Sequence, residues 1–136
     1  MPHRIRRSLL LLAAVAVTTA TAACGGDAPT ADGPVIRGYS ADGDFPAAQV
    51  EGQLRRAGDC LVVGTAVAVW TDAASWDADA DAVAVGDDRY VVGTDVRLAG
   101  GFYDRGGWQD VVTDDAVAPL QDCLDSSGLE TVALVR

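Results

Sequence analysis

From Gln49 onward, short apolar runs alternate with glycine, aspartate and threonine, the rhythm of brief strands joined by tight turns. "QVEGQLRR" sets Val50, Gly52 and Leu54 against polar neighbours. "CLVVG" and "AVAVW" are two apolar runs broken at Gly64-Thr65, which predicts a hairpin. "AVAVGDDRYVVG" places Gly86-Asp87-Asp88 between two further runs and predicts another. "DVRLAGG" alternates Val96 and Leu98, and "TVALVR" closes the chain with β-branched residues. One segment departs from this period. In "TDDAVAPLQDCLDSSG", Asp114 or Asp115 can cap a helix, and Pro119 is expected near its first turn. Leu120, Cys123 and Leu124 then fall on one helical face, and Gly128 stops it. The expectation is a mainly β domain, a small barrel of five or six strands with one short C-terminal helix before the last strand.

The N-terminus follows a different logic. Arg4, Arg6 and Arg7 precede an apolar run from Leu9 to Val17. That run is shorter than the about 20 residues a helix needs to cross a bilayer. A basic start, a short apolar core and small residues describe an export signal. "TAAC" (Thr21 to Cys24) resembles the lipobox of bacterial lipoproteins, in which the cysteine receives a diacylglyceryl group and becomes the mature N-terminus. Ala22 and Ala23 match the small residues of that motif, whereas Thr21 stands where leucine is usual. The resemblance implies lipidation of Cys24, a palmitate-type anchor and a place on the outer face of the cell membrane. Cleavage after Ala20-Thr21-Ala22, releasing a soluble protein, is the alternative.

Residues 25–48 are rich in Gly, Pro, Asp and Ala without periodicity and read as a tether. As a flexible coil, about 24 residues would span roughly 25–30 Å. Within it, "PVIRGY" could dock as an edge strand. The expected organisation is a signal peptide over residues 1–23, a linker over 24–48 and a barrel domain over 49–136.

Composition narrows the function classes. The chain of 136 residues carries net charge −10. Three of its ten basic residues and none of its twenty acids lie in residues 1–23, so the chain from Cys24 carries −13. Such a surface repels nucleic acid and anionic lipid headgroups. Lysine and asparagine are absent, and the one histidine, His3, lies in the signal segment. The mature chain therefore has no Ser-His-Asp triad, imidazole metal ligand, Schiff-base lysine or P-loop lysine. Carboxylates, tyrosines and hydroxyls remain for chemistry. With three cysteines in an exported chain, lipidation of Cys24 leaves Cys60 and Cys123 to pair as a disulfide.

The order of Gly52-x-Leu54, Cys60-Leu61, Val69-Trp70, Trp76-Asp77, the glycine-bounded run Gly93 to Gly101, and Cys123 before a final strand resembles a group of small exported actinobacterial domains. That resemblance implies an OB-like barrel and assigns no catalytic residue.

Two constellations carry candidate chemistry. Asp77, Asp79 and Asp81 alternate as in the opening of an EF-hand-like calcium loop, and Asp88 falls at its twelfth position. Ala82 stands where that loop needs glycine, so an acidic turn leading into a strand is the better reading. "GGFYDRGGW" sets Phe102, Tyr103 and Trp108 among glycines, a candidate aromatic surface for a sugar or peptide or, alternatively, a cover for the barrel end. Trp70 and Trp76 are expected in the core or at the barrel rim. These features point to a non-catalytic, membrane-anchored lipoprotein domain for recognition or envelope structure. Its expected partners are the membrane, through the lipid, and an envelope glycan or protein, with no cofactor and no nucleic acid. The competing reading is a carboxylate-dependent hydrolase of cell-wall polysaccharide, which calls for a close pair of buried carboxylates in a cleft.

Overall fold

A computed structural model describes residues 31–40, 47–104 and 106–136; the signal segment and Cys24 lie outside them. In chain order the elements are β1 (Ala31–Asp32), β2 (Val35–Tyr39), β3 (Ala48–Ala57), β4 (Cys60–Val63), β5 (Ala66–Thr71), β6 (Ala74–Asp77), β7 (Ala82–Val85), β8 (Asp88–Val91), β9 (Asp95–Asp104), α1 (Asp114–Ser127) and β10 (Thr131–Val135).

Five of these strands close a barrel. β3 pairs antiparallel with β4, β4 with β5, β9 with β10 and β3 with β9, while β5 and β10 run parallel. The circuit β3-β4-β5-β10-β9 returns to β3, so the barrel is OB-like, as expected. Both predicted hairpins are present, β4–β5 across Gly64-Thr65 and β7–β8 across Gly86-Asp87. The second hairpin joins β6 in a separate three-stranded sheet inserted between the third and fourth barrel strands.

Side-chain alternation divides the interior in two. Leu54, Leu61, Val63, Ala68, Trp70, Leu98, Ala133 and Val135 point into the barrel, where Val83 and the half-buried Trp76 and Tyr90 of the small sheet also pack. Val62, Val67, Val69, Val132 and Leu134 point outward and are covered by Ala116, Leu120 and Leu124 of α1. β5 is thus buried on both faces over its whole length, which is why "AVAVW" reads as a continuous apolar run. Gly100 lets the barrel close tightly. A Cβ there would lie 2.2 Å from the Leu134 carbonyl oxygen and 2.8 Å from a Val50 methyl.

The start of the domain differs from the expectation of a linker to residue 48. Val35–Tyr39 belongs to the sheet and pairs parallel with the C-terminal half of β5. The reason is a length mismatch. β4 has four residues and β5 six, and β4 engages β5 only at Val62 and Val63. The rest of that edge of β5 is open, and β2 fills it. Val35 enters the barrel core, Ile36 and Tyr39 enter the core under α1, and the Tyr39 hydroxyl donates a hydrogen bond to the Val135 carbonyl.

α1 begins at Asp114 with Thr113 at its N-cap, and Asp114 and Asp115 lie in the first turn, where the helix dipole favours negative charge. Pro119 therefore falls in the second turn, not the first. It withholds an N–H from the carbonyl of Asp115, an exposed residue. Gly128 ends the helix in the left-handed conformation, with φ of 70°, and its N–H bonds to the Leu124 carbonyl at 3.0 Å.

Candidate functional site

In OB barrels the outer face of the second and third strands, with the loops joining strands one to two and four to five, is the common ligand surface. Here those strands are β4 and β5. The first loop is the Gly58-Asp59 turn, and the second carries α1. The helix lies on the face itself, so the apolar positions a ligand would meet are closed by Leu120 and Leu124. The Cys60–Cys123 disulfide, predicted from the cysteine count, fastens the helix to β4, with Cα atoms 6.0 Å apart.

What stays open is a groove of about 380 Å³ along the edge of this cover. The Gly58-Asp59 turn forms one wall, and Pro119, Asp122 and Ser126 of α1 form the other. Ile36 and the two cysteines form its floor, with Gly33 at one end. Gly58 shapes the turn with φ of 62°, and a Cβ there would meet open space. Asp59 and Asp122 are both exposed.

The groove continues past Gly33, Pro34 and Gly58 to Arg56. The Arg56 guanidinium lies 5.0 Å from the centre of the Trp76 ring, and its Nε is 3.6 Å from Asp81 Oδ1. Trp76 backs onto Gly33, where a Cβ would come within 2.6 Å of the ring. This rim thus joins an arginine–tryptophan stack to two carboxylates over a sulfur floor. No protein family, curated protein or solved structure matches the chain.

The aromatic trio is not brought together. Phe102 and Tyr103 face opposite sides of β9, opposite Ala133 and Val132 respectively. Phe102 is 53% exposed, Tyr103 packs against the core under α1, and Trp108 is fully enclosed in that core. Trp108 has no surface left to stack on a ligand, and its carbonyl accepts the N–H groups of Val111 and Val112. Trp108 is buried under α1 and not at the barrel end, and Phe102 is largely exposed, so the three form neither a shared ligand surface nor a cover for the barrel end. Trp70 is wholly inside the barrel, and Trp76 is at its rim.

The alternating aspartates serve the β6–β7 turn. Asp77 Oδ1 accepts the N–H groups of Asp79 at 3.1 Å and Ala80 at 3.0 Å, and its Oδ2 pairs with Arg89. The Ala80 N–H chiefly, opposed by desolvation and helped by Arg89 and the Asp79 N–H, holds the Asp77 carboxyl below its ordinary pKa. Asp81, with φ of 48°, occupies the left-handed region that aspartate tolerates in turns, and its carboxylate faces Arg56. Among the described residues, no three His, Cys, Asp or Glu side chains converge as a metal site.

A second groove, of about 570 Å³, is lined by Glu51, Gly52, Asp95, Val96 and Arg97. Arg97 Nε and Glu51 Oε2 are 3.5 Å apart across it, an exposed ion pair of little energetic weight. Neither groove was visible in the sequence. The closest signal for the first was that both disulfide cysteines directly follow an aspartate, at Asp59-Cys60 and Asp122-Cys123.

Proposed function

We propose that this chain is an extracytoplasmic, lipid-anchored domain that works without catalysis, in recognition or envelope structure, and presents its barrel rim to an envelope glycan or protein. The observation that carries the reading is the pairing of Cys60 with Cys123 across the barrel and helix. It fits an oxidising compartment and accounts for two of the three cysteines, leaving Cys24 in its small-residue motif. Acyl chains on Cys24 would then hold the domain close to the bilayer. With β1 starting at Ala31, the seven-residue path from Cys24 extends at most about 25 Å. The hydrolase reading gains no support, because among the described residues the buried set contains no carboxylate and the groove carboxylates are exposed. Cys24→Ala is expected to move the protein from the membrane to the medium, with mass spectrometry finding the lipid only on the unaltered N-terminus. An unlipidated N-terminus and unchanged partitioning of the variant would overturn the proposal.

A further inference from the structure

The groove beside α1 also controls access to the disulfide. Cys60 is 2% and Cys123 4% exposed, and both line this groove. Asp59 and Asp122 line the same groove, so a soluble thiol that reaches the sulfurs of the native protein through it passes both carboxylates. Each aspartate directly precedes one of the cysteines, so their Cα atoms are about 3.8 Å apart along the chain. Among the described residues that line the groove and its continuation, the cation is Arg56, and it is engaged by Trp76 and Asp81. The species that attacks a disulfide is the thiolate, an anion, and its rate depends on access as well as nucleophilicity.

We infer that Asp59 and Asp122 make this groove a charge filter, which slows reduction of Cys60–Cys123 by anionic thiols and admits those carrying a compensating positive charge. In the step concerned, a thiolate bonds to Cys123 Sγ, the Cys60–Cys123 bond breaks, and Cys60 leaves as a thiolate that takes a proton from solvent. A second thiolate attacks the external sulfur of the mixed disulfide, releasing Cys123 as a thiolate and the reagent as its own disulfide. Two electrons pass from two reagent thiols to the protein. The carboxylates act on the first step, where incoming negative charge enters their field. The inference rests on the disulfide and groove, and holds whether or not Cys24 carries lipid.

The test uses three small thiols whose thiolates differ in net charge: cysteamine (neutral overall), 2-mercaptoethanol (one negative charge) and mercaptoacetate (two). Second-order rates per thiolate on the native exported protein are divided by rates on a small neutral disulfide, which removes intrinsic nucleophilicity. Two unit charges acting over roughly 8 Å in a water-like medium slow the reaction about fivefold per added negative charge at low salt. The expected spread across the series is about 25-fold by the same reasoning. It should shrink to about twofold in Asp59→Asn/Asp122→Asn. It should also shrink in the unaltered protein at about 0.5 M salt, where screening is stronger. Equal rates across the series would overturn the inference. So would an unchanged spread in the double variant, which would trace the effect to net charge. Rates independent of thiol concentration, meaning that reduction follows a prior opening, would overturn it as well.

Discussion

Removing the disulfide has a consequence whose size can be worked from its place in the chain. The bridge closes a loop with a sequence separation of 63 residues. In the chain-entropy treatment, such a loop restricts the unfolded state by about 4 kcal/mol. For a domain of this size, each kcal/mol moves the melting temperature by about 4–8 °C, so the loss should lower Tm by about 15–30 °C. Cys60→Ala/Cys123→Ala also leaves space where two buried sulfurs were, and reduced unaltered protein separates this packing loss from loop closure. The helix should remain docked in both, because Leu120 and Leu124 stay buried against β4, β5 and β10. Thermal unfolding by far-UV circular dichroism, compared with the oxidised protein, reads the shift. A fall of less than about 5 °C in the reduced protein would refute the reasoning, because the unfolded-state constraint would then be largely absent.

Two further substitutions test the barrel closure and the placement of β2. Gly100→Ala pushes a methyl against the Leu134 carbonyl oxygen, a backbone atom that cannot rotate away; the expected cost is at or above the upper end of about 1–3 kcal/mol, read as a lower urea midpoint. Tyr39→Phe removes the hydrogen bond to the Val135 carbonyl and should cost about 1–3 kcal/mol, read by the same denaturation. Burial also raises the Tyr39 pKa above its usual value of 10.0, so the unfolded chain ionises first and stability is present below about pH 10 and lost as pH rises. The phenylalanine variant should lose less stability on that alkaline limb.

The five-strand barrel was legible because each of its strands obeys a local rule. β3 and β9 alternate, β4 and β5 are continuous apolar runs joined at a glycine, and β10 is rich in β-branched residues. α1 was legible from its apolar face and its glycine stop. β2 was read only as an optional edge strand, because what makes it obligatory is non-local: the unfilled part of the β5 edge depends on β4 being shorter. Adjacency in sequence also misled. Phe102 and Tyr103 are neighbours in the chain but face opposite sides of a strand, and Trp108, six residues beyond Phe102, turns back under α1. The aspartates after Trp76 were correctly placed at a turn, yet the ion pairs of Asp77 and Asp81 depend on Arg89 and Arg56, which lie on other strands.

The position of α1 decides how this barrel can be used. An uncovered outer face of β4 and β5 would expose Val62, Val67 and Val69 together, an apolar surface that in water invites association. Here the fourth-to-fifth strand connection supplies its own cover, and the disulfide makes that cover part of the fold. A ligand cannot reach the face without displacing Leu120 and Leu124, which are both wholly buried. Burying each such side chain stabilises by about 1.5–3 kcal/mol, and the disulfide resists the displacement further. Under the proposed function, recognition falls to the rim of that face, which is lined by Asp59, Asp122 and the two cysteines and continues to Arg56 stacked on Trp76. That rim lies along the β1–β2 end of the domain, because Gly33 and Pro34 help to form it. Under the proposed anchoring, this end is also nearest the lipid in sequence. A partner for the rim would then have to fit the narrow space between barrel and bilayer, which favours an extended glycan or peptide segment over a broad protein surface.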